Sequence, residues 1–202
     1  MEIQYKTIEN DLDYLRQVSK EVDLSNDDYK KDVKVITDCC AKDDNLRALA
    51  SIQIGIPKRL VYVRNTDPNI NQDDTHNEKK VLINPVIVKQ EGLTRYWEAC
   101  ASCLDYTGLV ERPYKIEIEY CDIDNKKHKE TFEGFESTVL SHEMDHLDGI
   151  LHIDKSIELL NMTKDERKEF RKTHTYEIIK KVGDYNTLRG ERNENKRLRK
   201  RI

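Results

Sequence analysis

Two histidines stand four residues apart in SHEMDHLDG (141–149), and a glutamate directly follows the first of them. In an α-helix, positions i and i+4 lie one above the other on one face, so His142 and His146 can point at one metal ion. Glu143 lies about 100° further round the helix, close to the open coordination position of that ion. This arrangement is typical of hydrolytic zinc-type sites, where a carboxylate moves the proton of water. Solvated helix faces carry the same residue types, so a third ligand is needed to decide.

The candidates for a third ligand are Cys100 and Cys103 in YWEACASCLDYTGLVERP. A thiolate is a good ligand for Zn²⁺ or Fe²⁺. One cysteine could complete an open catalytic site, or both could join the two histidines in a closed Cys₂His₂ structural site. The C-x-x-C pair could also be a redox dithiol, but the thioredoxin-like βαβ pattern that normally surrounds one is missing. The closed site is therefore the main alternative to the open one.

The composition narrows the class of protein. Charged residues make up 37% of the 202 residues with a net charge of only -4, a balance that does not indicate a nucleic-acid binder. The chain contains no run of about 18 apolar residues, the length of a transmembrane helix, and no signal-peptide pattern. Five cysteines without an export signal favour a reducing compartment. We expect a cytoplasmic protein with neither a membrane nor DNA as partner.

The first half of the chain has signals for helices and strands. Helical periodicity predicts two helices, over 11–23 and over about 25–40. A short β-branched run predicts a strand at 60–63. The following strand is broken at Asn84-Pro85, which suits a sheet edge or a bulge because proline cannot donate to the ladder.

The second half places the histidine motif on a central helix. Alternation of apolar and charged residues predicts a hairpin around 124–125, followed by a helix over roughly 134–147 that ends at Gly149. MTKDERKEFRKTHTYEIIKKV (162–182) begins with a capping box and predicts one long helix. This order predicts an α+β fold with antiparallel β-sheets around a central metal-binding helix, N-terminal helices and a C-terminal helix.

The chain resembles the peptide deformylases, which carry G-x-G-L-A-A-x-Q, E-G-C-L-S and H-E-x-D-H in this order. The corresponding segments here are LRALASIQ (46–53), EACAS (98–102) and HEMDH (142–146). The third motif matches fully. The identical positions in the other two are Leu49, Ala50, Gln53, Glu98, Cys100 and Ser102. The resemblance spans about residues 10–155 and implies a catalytic domain over 1–155. The helical pattern and the basic end of the chain predict a C-terminal helical extension (156–188) and a basic, mobile tail (189–202).

The resemblance also implies the site. Cys100 lies twelve residues before Arg112 and takes the ligand position beside the two histidines, whereas Cys103 becomes a core residue. The implied cofactor is one divalent metal ion, Fe²⁺, with Zn²⁺ or Ni²⁺ as alternatives. In the implied mechanism, the Glu143 carboxylate moves the proton. The Gln53 side chain and the Ala101 backbone donate N–H hydrogen bonds to the oxyanion. We further expect Glu98 to pair with Arg112, and Asp145 either to orient a ligand histidine or to be solvated.

The implied reaction is removal of the N-formyl group from nascent peptides that begin with formyl-methionine, with substrate contacts at Arg47, Ala48 and Ala99. Here the chain departs from the family, because Leu46 and Ala48 replace the two glycines of the first motif. A Cβ at Ala48 should crowd the substrate, and a guanidinium at Arg47 is costly to desolvate against an apolar side chain. We expect weak activity on ordinary formyl-methionyl peptides and a preference for an acidic group. If Arg47 instead turns to solvent, ordinary activity should remain.

Two alternative functions and one partner remain to be tested. A zincin-like endopeptidase would normally take a third His or Glu as ligand, and a weak or inactive deformylase-like protein with a closed Cys₂His₂ site would act as a binding module. The expected partners are the formylated peptide and, through the basic tail, the ribosome. The tail is either a ribosomal RNA contact or a solubilising end, and its basic residues are Lys196, Arg197, Arg199, Lys200 and Arg201.

Overall fold

The computed structural model describes residues 4–43, 46–64 and 79–190. The elements in chain order are α1 (Ile8–Leu15), α2 (Tyr29–Cys40), β1 (Ala48–Ala50), a 3₁₀ turn (Ser51–Ile54), β2 (Leu60–Arg64), β3 (Lys79–Cys100), β4 (Cys103–Arg112), β5 (Lys115–Cys121), β6 (Lys127–Glu133), α3 (Phe135–Leu147), α4 (His152–Lys155), β7 (Glu158–Asn161), α5 (Lys164–Phe170) and β8 (Glu177–Asp184). Residues 185–190 are also helical. The predicted α+β class is confirmed. None of the described helices is long and apolar enough to cross a membrane.

The eight strands form one antiparallel sheet that is organised by the 22-residue strand β3. Different stretches of β3 pair with β2, β4, β5 and β8, and the register shifts within three of these pairings. One shift falls between Ile83 and Val86, where Asn84 has a φ of 52°. The Asn84 side chain bonds the backbone N–H and C=O of Val22 at 2.7 and 2.9 Å. The predicted break at Asn84-Pro85 is therefore a bulge inside the sheet. The predicted hairpin is the β5–β6 pair.

Helix α3 lies against this sheet and carries the histidine motif. Its apolar residues Leu140, Met144 and Leu147, at i, i+4 and i+7, are buried in the largest core cluster with side chains of β1, β2 and β6. The chain leaves the helix through Gly149, with a φ of +70°. A Cβ there would lie 2.3 Å from the Arg16 carbonyl oxygen, so both the conformation and the space require glycine. The predicted helix and its end are confirmed.

The two N-terminal helices differ in how well they match the prediction. Helix α2 is confirmed, and it buries Tyr29, Val33, Ile36 and Cys40. Helix α1 begins earlier and ends at Leu15, so the predicted helix over 11–23 is wrong in its bounds. Beyond Leu15, the Ser19 N–H donates to Leu147 O at 2.7 Å and the Lys20 N–H to Pro57 O at 3.0 Å. Hydrogen bonds to other parts of the fold thus replace the helical ones.

The C-terminal helical extension predicted for 156–188 is wrong in its secondary structure. Helix α5 does begin at the predicted capping box, where Thr163 Oγ1 accepts from Glu166 N, but it ends at Phe170. Strand β8 follows and pairs with β3, and β7 pairs with β4, so this segment adds two strands to the main sheet. The β-branched and aromatic residues after α5 favour a strand where an edge is available for pairing. The basic residues 196–201 lie outside the described residues.

Candidate active site

The structure brings the sulfur of Cys100 together with one ring nitrogen of each motif histidine. Cys100 Sγ lies 3.2 Å from His146 Nε2, which lies 3.2 Å from His142 Nε2. The ligand atoms of the three residues all lie within 4.8 Å of one another. Cys100 ends strand β3, and the histidines stand one turn apart on α3. One sulfur and two imidazole nitrogens at these separations fit the coordination preferences of a divalent transition metal.

Glu98 orients His142 and is itself held by Arg112. Arg112 donates from Nε to Glu98 Oε1 at 2.8 Å and from Nη2 to Oε2 at 2.9 Å, which confirms the predicted pair. Oε2 also lies 2.8 Å from Nδ1 of His142. Because a carboxylate accepts there, Glu98 keeps a proton on Nδ1 of His142 and leaves Nε2 directed at the cluster. No sequence signal indicated this contact with His142.

Asp145 does not orient a ligand histidine. Its Oδ2 accepts from Arg112 Nη1, and its Oδ1 accepts from Lys155 Nζ at 2.6 Å. Among the described residues, His146 Nδ1 is buried without a hydrogen-bond partner. Asp145 was expected either to orient a ligand histidine or to be solvated. It does neither, because its carboxylate is largely buried and neutralises Arg112. Arg112, 1% exposed, thus lies between two carboxylates, as a buried charge must.

The charges of the cluster are set by its neighbours. Burial raises the pKa of the Glu98 carboxyl, but the charge and hydrogen bonds of Arg112 outweigh this effect and hold that pKa well below its usual range. Burial lowers the pKa of His142, yet hydrogen bonds to Cys100 and Glu98 outweigh it and raise that pKa well above its usual value. A hydrogen bond from Cys103 lowers the pKa of Cys100, and Cys103 itself has a raised pKa. Cys100 is thus the thiolate of the pair, the form that binds metals.

Cys103 lies next to the cluster without joining it. Among the described residues, the metal-ligand group contains Cys100 and the two histidines but not Cys103. Cys103 is fully buried and packs with Leu15, Leu151 and Cys100 itself in an apolar cluster. The geometry is that of three ligands, not four.

Gln53 contacts the Cys100 sulfur, and Ala101 directly follows Cys100 and lines the same cavity as these two residues. Gln53, 2% exposed in the 3₁₀ turn, donates from Nε2 to Cys100 Sγ at 3.2 Å and to Ser102 Oγ at 3.1 Å. Its Oε1 accepts from the Ala50 N–H at 3.1 Å, which fixes the orientation of the amide. Ala101 and Ser102 form the two-residue turn between β3 and β4. Both predicted oxyanion donors therefore stand beside the cluster.

Glu143 also lies at the cluster and is 6% exposed. Its Oε2 accepts the N–H of Ala50 at 2.8 Å, so β1 holds the carboxylate in place. Burial raises the pKa of Glu143, although the two histidines and the Ala50 N–H act in the opposite direction. A carboxyl in such surroundings can both accept and return a proton.

A cavity of about 300 Å³ opens onto these groups. The three residues expected to contact substrate, Arg47, Ala48 and Ala99, all line it. Ala48 is buried and Arg47 is exposed. Leu46 and Leu49 of the first motif also line the cavity, and the sequence did not indicate Tyr96, Phe135, Val139 and, from the end of α5, Arg171.

His152 is a further neighbour that no sequence signal pointed to. It is 1% exposed, and its ring stacks on that of His142 with centroids 5.7 Å apart. Neither ring nitrogen has a partner among the described residues, and burial lowers the pKa of His152 to about 4. His152 therefore packs behind the ligand histidine as a neutral ring.

Comparisons with known proteins agree with this arrangement. The family model for polypeptide deformylase matches residues 5–162. A peptide deformylase of Pelagibacter ubique is 36% identical over 141 residues, which are 69% of this chain and 78% of that protein. The crystal structure of a probable peptide deformylase from Synechococcus phage S-SSM7 has a TM-score of 0.64 and 31% identity, over 76% of this chain and 99% of that one. The Met-Ala-Ser-bound class I type b peptide deformylase from Acinetobacter baumannii has a TM-score of 0.65 over 77% and 98% of the two chains, and at 22% identity it supports the fold alone.

Proposed function

The chain belongs to the peptide deformylase family, and we propose that it removes the N-formyl group from nascent peptides that begin with formyl-methionine. The reaction adds one water molecule across the formamide C–N bond and releases formate and a free α-amino group. The observation that carries the proposal is the convergence of one cysteine sulfur and two imidazole nitrogens beside the buried carboxylate of Glu143.

The proposed cofactor is one divalent metal ion, Fe²⁺, with Zn²⁺ or Ni²⁺ as alternatives, held by Cys100, His142 and His146. When bound, such an ion supplies a Lewis acid that polarises the formyl carbonyl and makes water more acidic. The position of Cys103 outside the ligand group supports an open site over a closed Cys₂His₂ site. A cysteine as third ligand also favours this proposal over a zincin-like endopeptidase.

Glu143 is the proposed proton carrier. Its carboxylate lines the cavity, and the Ala50 N–H holds it at 2.8 Å. Glu143 accepts a proton from the attacking water molecule and returns it to the nitrogen of the departing amine. Such assistance is typically worth about 10²–10⁴ in rate.

Gln53 and Ala101 are the proposed donors to the oxyanion that develops on the formyl oxygen. The Gln53 amide, fixed by its bond to Ala50 N–H, has its NH₂ group directed at Cys100 Sγ and Ser102 Oγ. The Ala101 N–H belongs to the turn that directly follows the cysteine. Each donor of this kind typically contributes about 3 kcal/mol to transition-state stabilisation.

The proposed substrate preference follows from the lining of the cavity. Its apolar wall, formed by Leu46, Tyr96, Phe135 and Val139, suits an apolar first side chain such as methionine. Arg47 also lines the cavity, and its side chain is exposed. We propose that any altered preference for the first side chain of the peptide arises from the buried Cβ of residue 48 and the charge of residue 47.

The test is formate release by the iron-loaded protein, prepared without oxygen, from formyl-Met-Ala-Ser, with acetyl-Met-Ala-Ser as the matched control. Formate from the first peptide without acetate from the second is expected, and chelation should abolish it until Fe²⁺ is restored. Protein that carries one equivalent of iron but releases no formate would contradict the proposal and favour the binding module.

The ribosome is the proposed partner, through the basic tail, and the cytoplasm is the proposed location, because nascent peptides are made there. Lys and Arg contacts to RNA phosphates release counterions, so binding should weaken as salt rises. The full chain and a variant ended after residue 188 are pelleted with ribosomes at increasing salt. Equal pelleting of the two would exclude the tail as the contact.

A further inference from the structure

We propose that Arg171 is a specificity-determining residue that binds a carboxylate of the substrate peptide, carried about three residues after the formyl group. The inference deepens the proposed deformylase function and rests on it for the identity of the substrate. Arg171 stands at the end of α5, in the C-terminal segment, and its side chain lines the same cavity as Glu143 and the ligand cluster.

The position of the guanidinium is fixed before any ligand arrives. Arg171 Nη2 donates to the Trp97 carbonyl oxygen at 2.9 Å, and the guanidinium carbon lies 5.2 Å from the centre of the Tyr96 ring. Phe170 packs edge-on against Trp97, with ring centroids 4.9 Å apart, and Tyr176 packs against Tyr96 at 6.2 Å. Because these contacts clamp both ends of the segment to β3, binding an anion requires little further ordering of Arg171.

The charge of Arg171 is not neutralised within the described residues. Its hydrogen bond goes to a neutral carbonyl and its ring contact to a neutral tyrosine, and its Nε is buried without a partner. The two buried carboxylates that line the cavity are committed elsewhere, Glu98 to Arg112 and His142, and Glu143 to the Ala50 N–H. A half-buried guanidinium that lines a binding cavity without an acidic partner is suited to a carboxylate on the ligand.

Strand β3 sets the distance between Arg171 and the ligand cluster. Tyr96, under the guanidinium, precedes the ligand residue Cys100 by four positions on β3, which is roughly 13 Å of extended chain. An extended peptide covers that length in roughly three to four residues. With its formyl group at the ligand cluster, the peptide therefore brings its third residue near Arg171. Either an acidic side chain or the terminal carboxylate of a tripeptide supplies the required group.

Four formylated tripeptides separate these sources of the carboxylate. Formyl-Met-Ala-Asn-amide carries none, formyl-Met-Ala-Asp-amide carries one on the third side chain, and formyl-Met-Ala-Ser carries one at its C-terminus, with its own amide as control. We expect kcat/KM of the wild type to be about tenfold higher for each acid than for its neutral counterpart, the usual strength of a charge-assisted hydrogen bond. The gain should appear in KM, because the carboxylate lies away from the bond that breaks.

Three variants test whether Arg171 is the cause. Arg171→Gln should bring both acid-to-neutral ratios close to one, and Arg171→Lys should retain part of the preference because it keeps the charge. Lys168→Gln is the matched control, since Lys168 is exposed on α5, carries the same charge and does not line the cavity. Its ratios should equal those of the wild type. If Arg171 only anchored the C-terminal segment, Arg171→Gln would lower the rates on acids and amides alike and leave the ratios unchanged, which would overturn the proposal.

Calorimetry measures the affinity of the protein for the deformylated products, so this test does not depend on turnover. Met-Ala-Asp-amide should bind the wild type more tightly than Met-Ala-Asn-amide, and Arg171→Gln should remove the difference. A wild type that hydrolyses none of the peptides but shows this difference refutes the proposed function and supports the carboxylate site. Equal binding of the two products by the wild type, or an equal difference in Arg171→Gln, overturns the role of Arg171 whatever the activity.

Discussion

Replacing Glu98 by glutamine is expected to destabilise the fold and weaken metal binding together. Glu98, 4% exposed, accepts two hydrogen bonds from Arg112 and one from His142. A glutamine side chain has one oxygen and one NH₂ group in place of the two oxygens. At least one of the three donors must therefore face another donor in Glu98→Gln.

The size of the effect follows from how the amide can orient. With its oxygen in the place of Oε2, the bonds from His142 and from Arg112 Nη2 survive, and the NH₂ group faces Arg112 Nε. Arg112 then keeps only Asp145 as a carboxylate partner. Breaking a buried ion pair costs about 3–5 kcal/mol, and we expect ~4 kcal/mol here. Loss of a ligating histidine's outer partner weakens metal binding by about 10–100-fold, and because the His142 bond survives we expect about tenfold.

Urea titration with a chelator present gives the free energy of unfolding of the metal-free protein, followed by the fluorescence of Trp97, the one tryptophan of the chain. Competition against a chelator of known affinity gives the metal dissociation constant. Glu111→Gln is the matched control, because Glu111 is a carboxylate, 4% exposed, that pairs with Arg95 at 2.9 Å and does not line the cavity. It should lose stability but keep its metal affinity. An unchanged urea midpoint in Glu98→Gln, or equal metal loss in both variants, would refute the reasoning.

Three further predictions concern the ligands, the proton carrier and the first motif. Cys100→Ser should lose the bound metal, measured by elemental analysis, whereas Cys103→Ser should retain it; equal losses would favour a closed four-ligand site. Glu143→Gln should retain the metal and release formate about 10²–10⁴-fold more slowly, and an unchanged rate would exclude it as the proton carrier. The Arg47→Ile, Ala48→Gly double variant should raise kcat/KM on formyl-methionyl peptides by about tenfold relative to acidic ones, and no gain would mean that the divergence of this segment is neutral.

The metal-ligand group could be predicted from the sequence to the extent that it depends on local geometry. Placing His142 and His146 on one face needed only the helical period. The choice of Cys100 over Cys103 was different, since spacing left both possible and the family resemblance decided. In the structure Cys103 pairs with Cys100 across the β3–β4 turn, but among the described residues the ligand group contains the Cys100 sulfur alone of the two.

The C-terminal segment could not be predicted because its conformation depends on a distant strand. The capping box at 163–166 was a valid local signal and does begin a helix. Beyond Phe170 the residues fit a strand as well as a helix. The strand forms because residues Leu93–Arg95 of β3 are available for pairing, and β8 pairs with them. The same long-range contact brings Arg171 to the cavity, so the error in secondary structure also concealed a residue of the site.

Burying Arg112 beside the ligand cluster costs free energy, but the ligand geometry depends on it. Burying a guanidinium at 1% exposure is unfavourable unless carboxylates neutralise it, and Glu98 and Asp145 do so from two sides. An apolar residue would fill that space at less cost, but Glu98 would then be a buried carboxylate with only His142 as partner, and its pKa would rise. A protonated Glu98 has one oxygen fewer to accept with, and His142 would lose the contact that keeps its Nε2 directed at Cys100. Arg112 therefore acts on the ligand geometry through Glu98, and a change on β4 reaches α3 without touching either histidine.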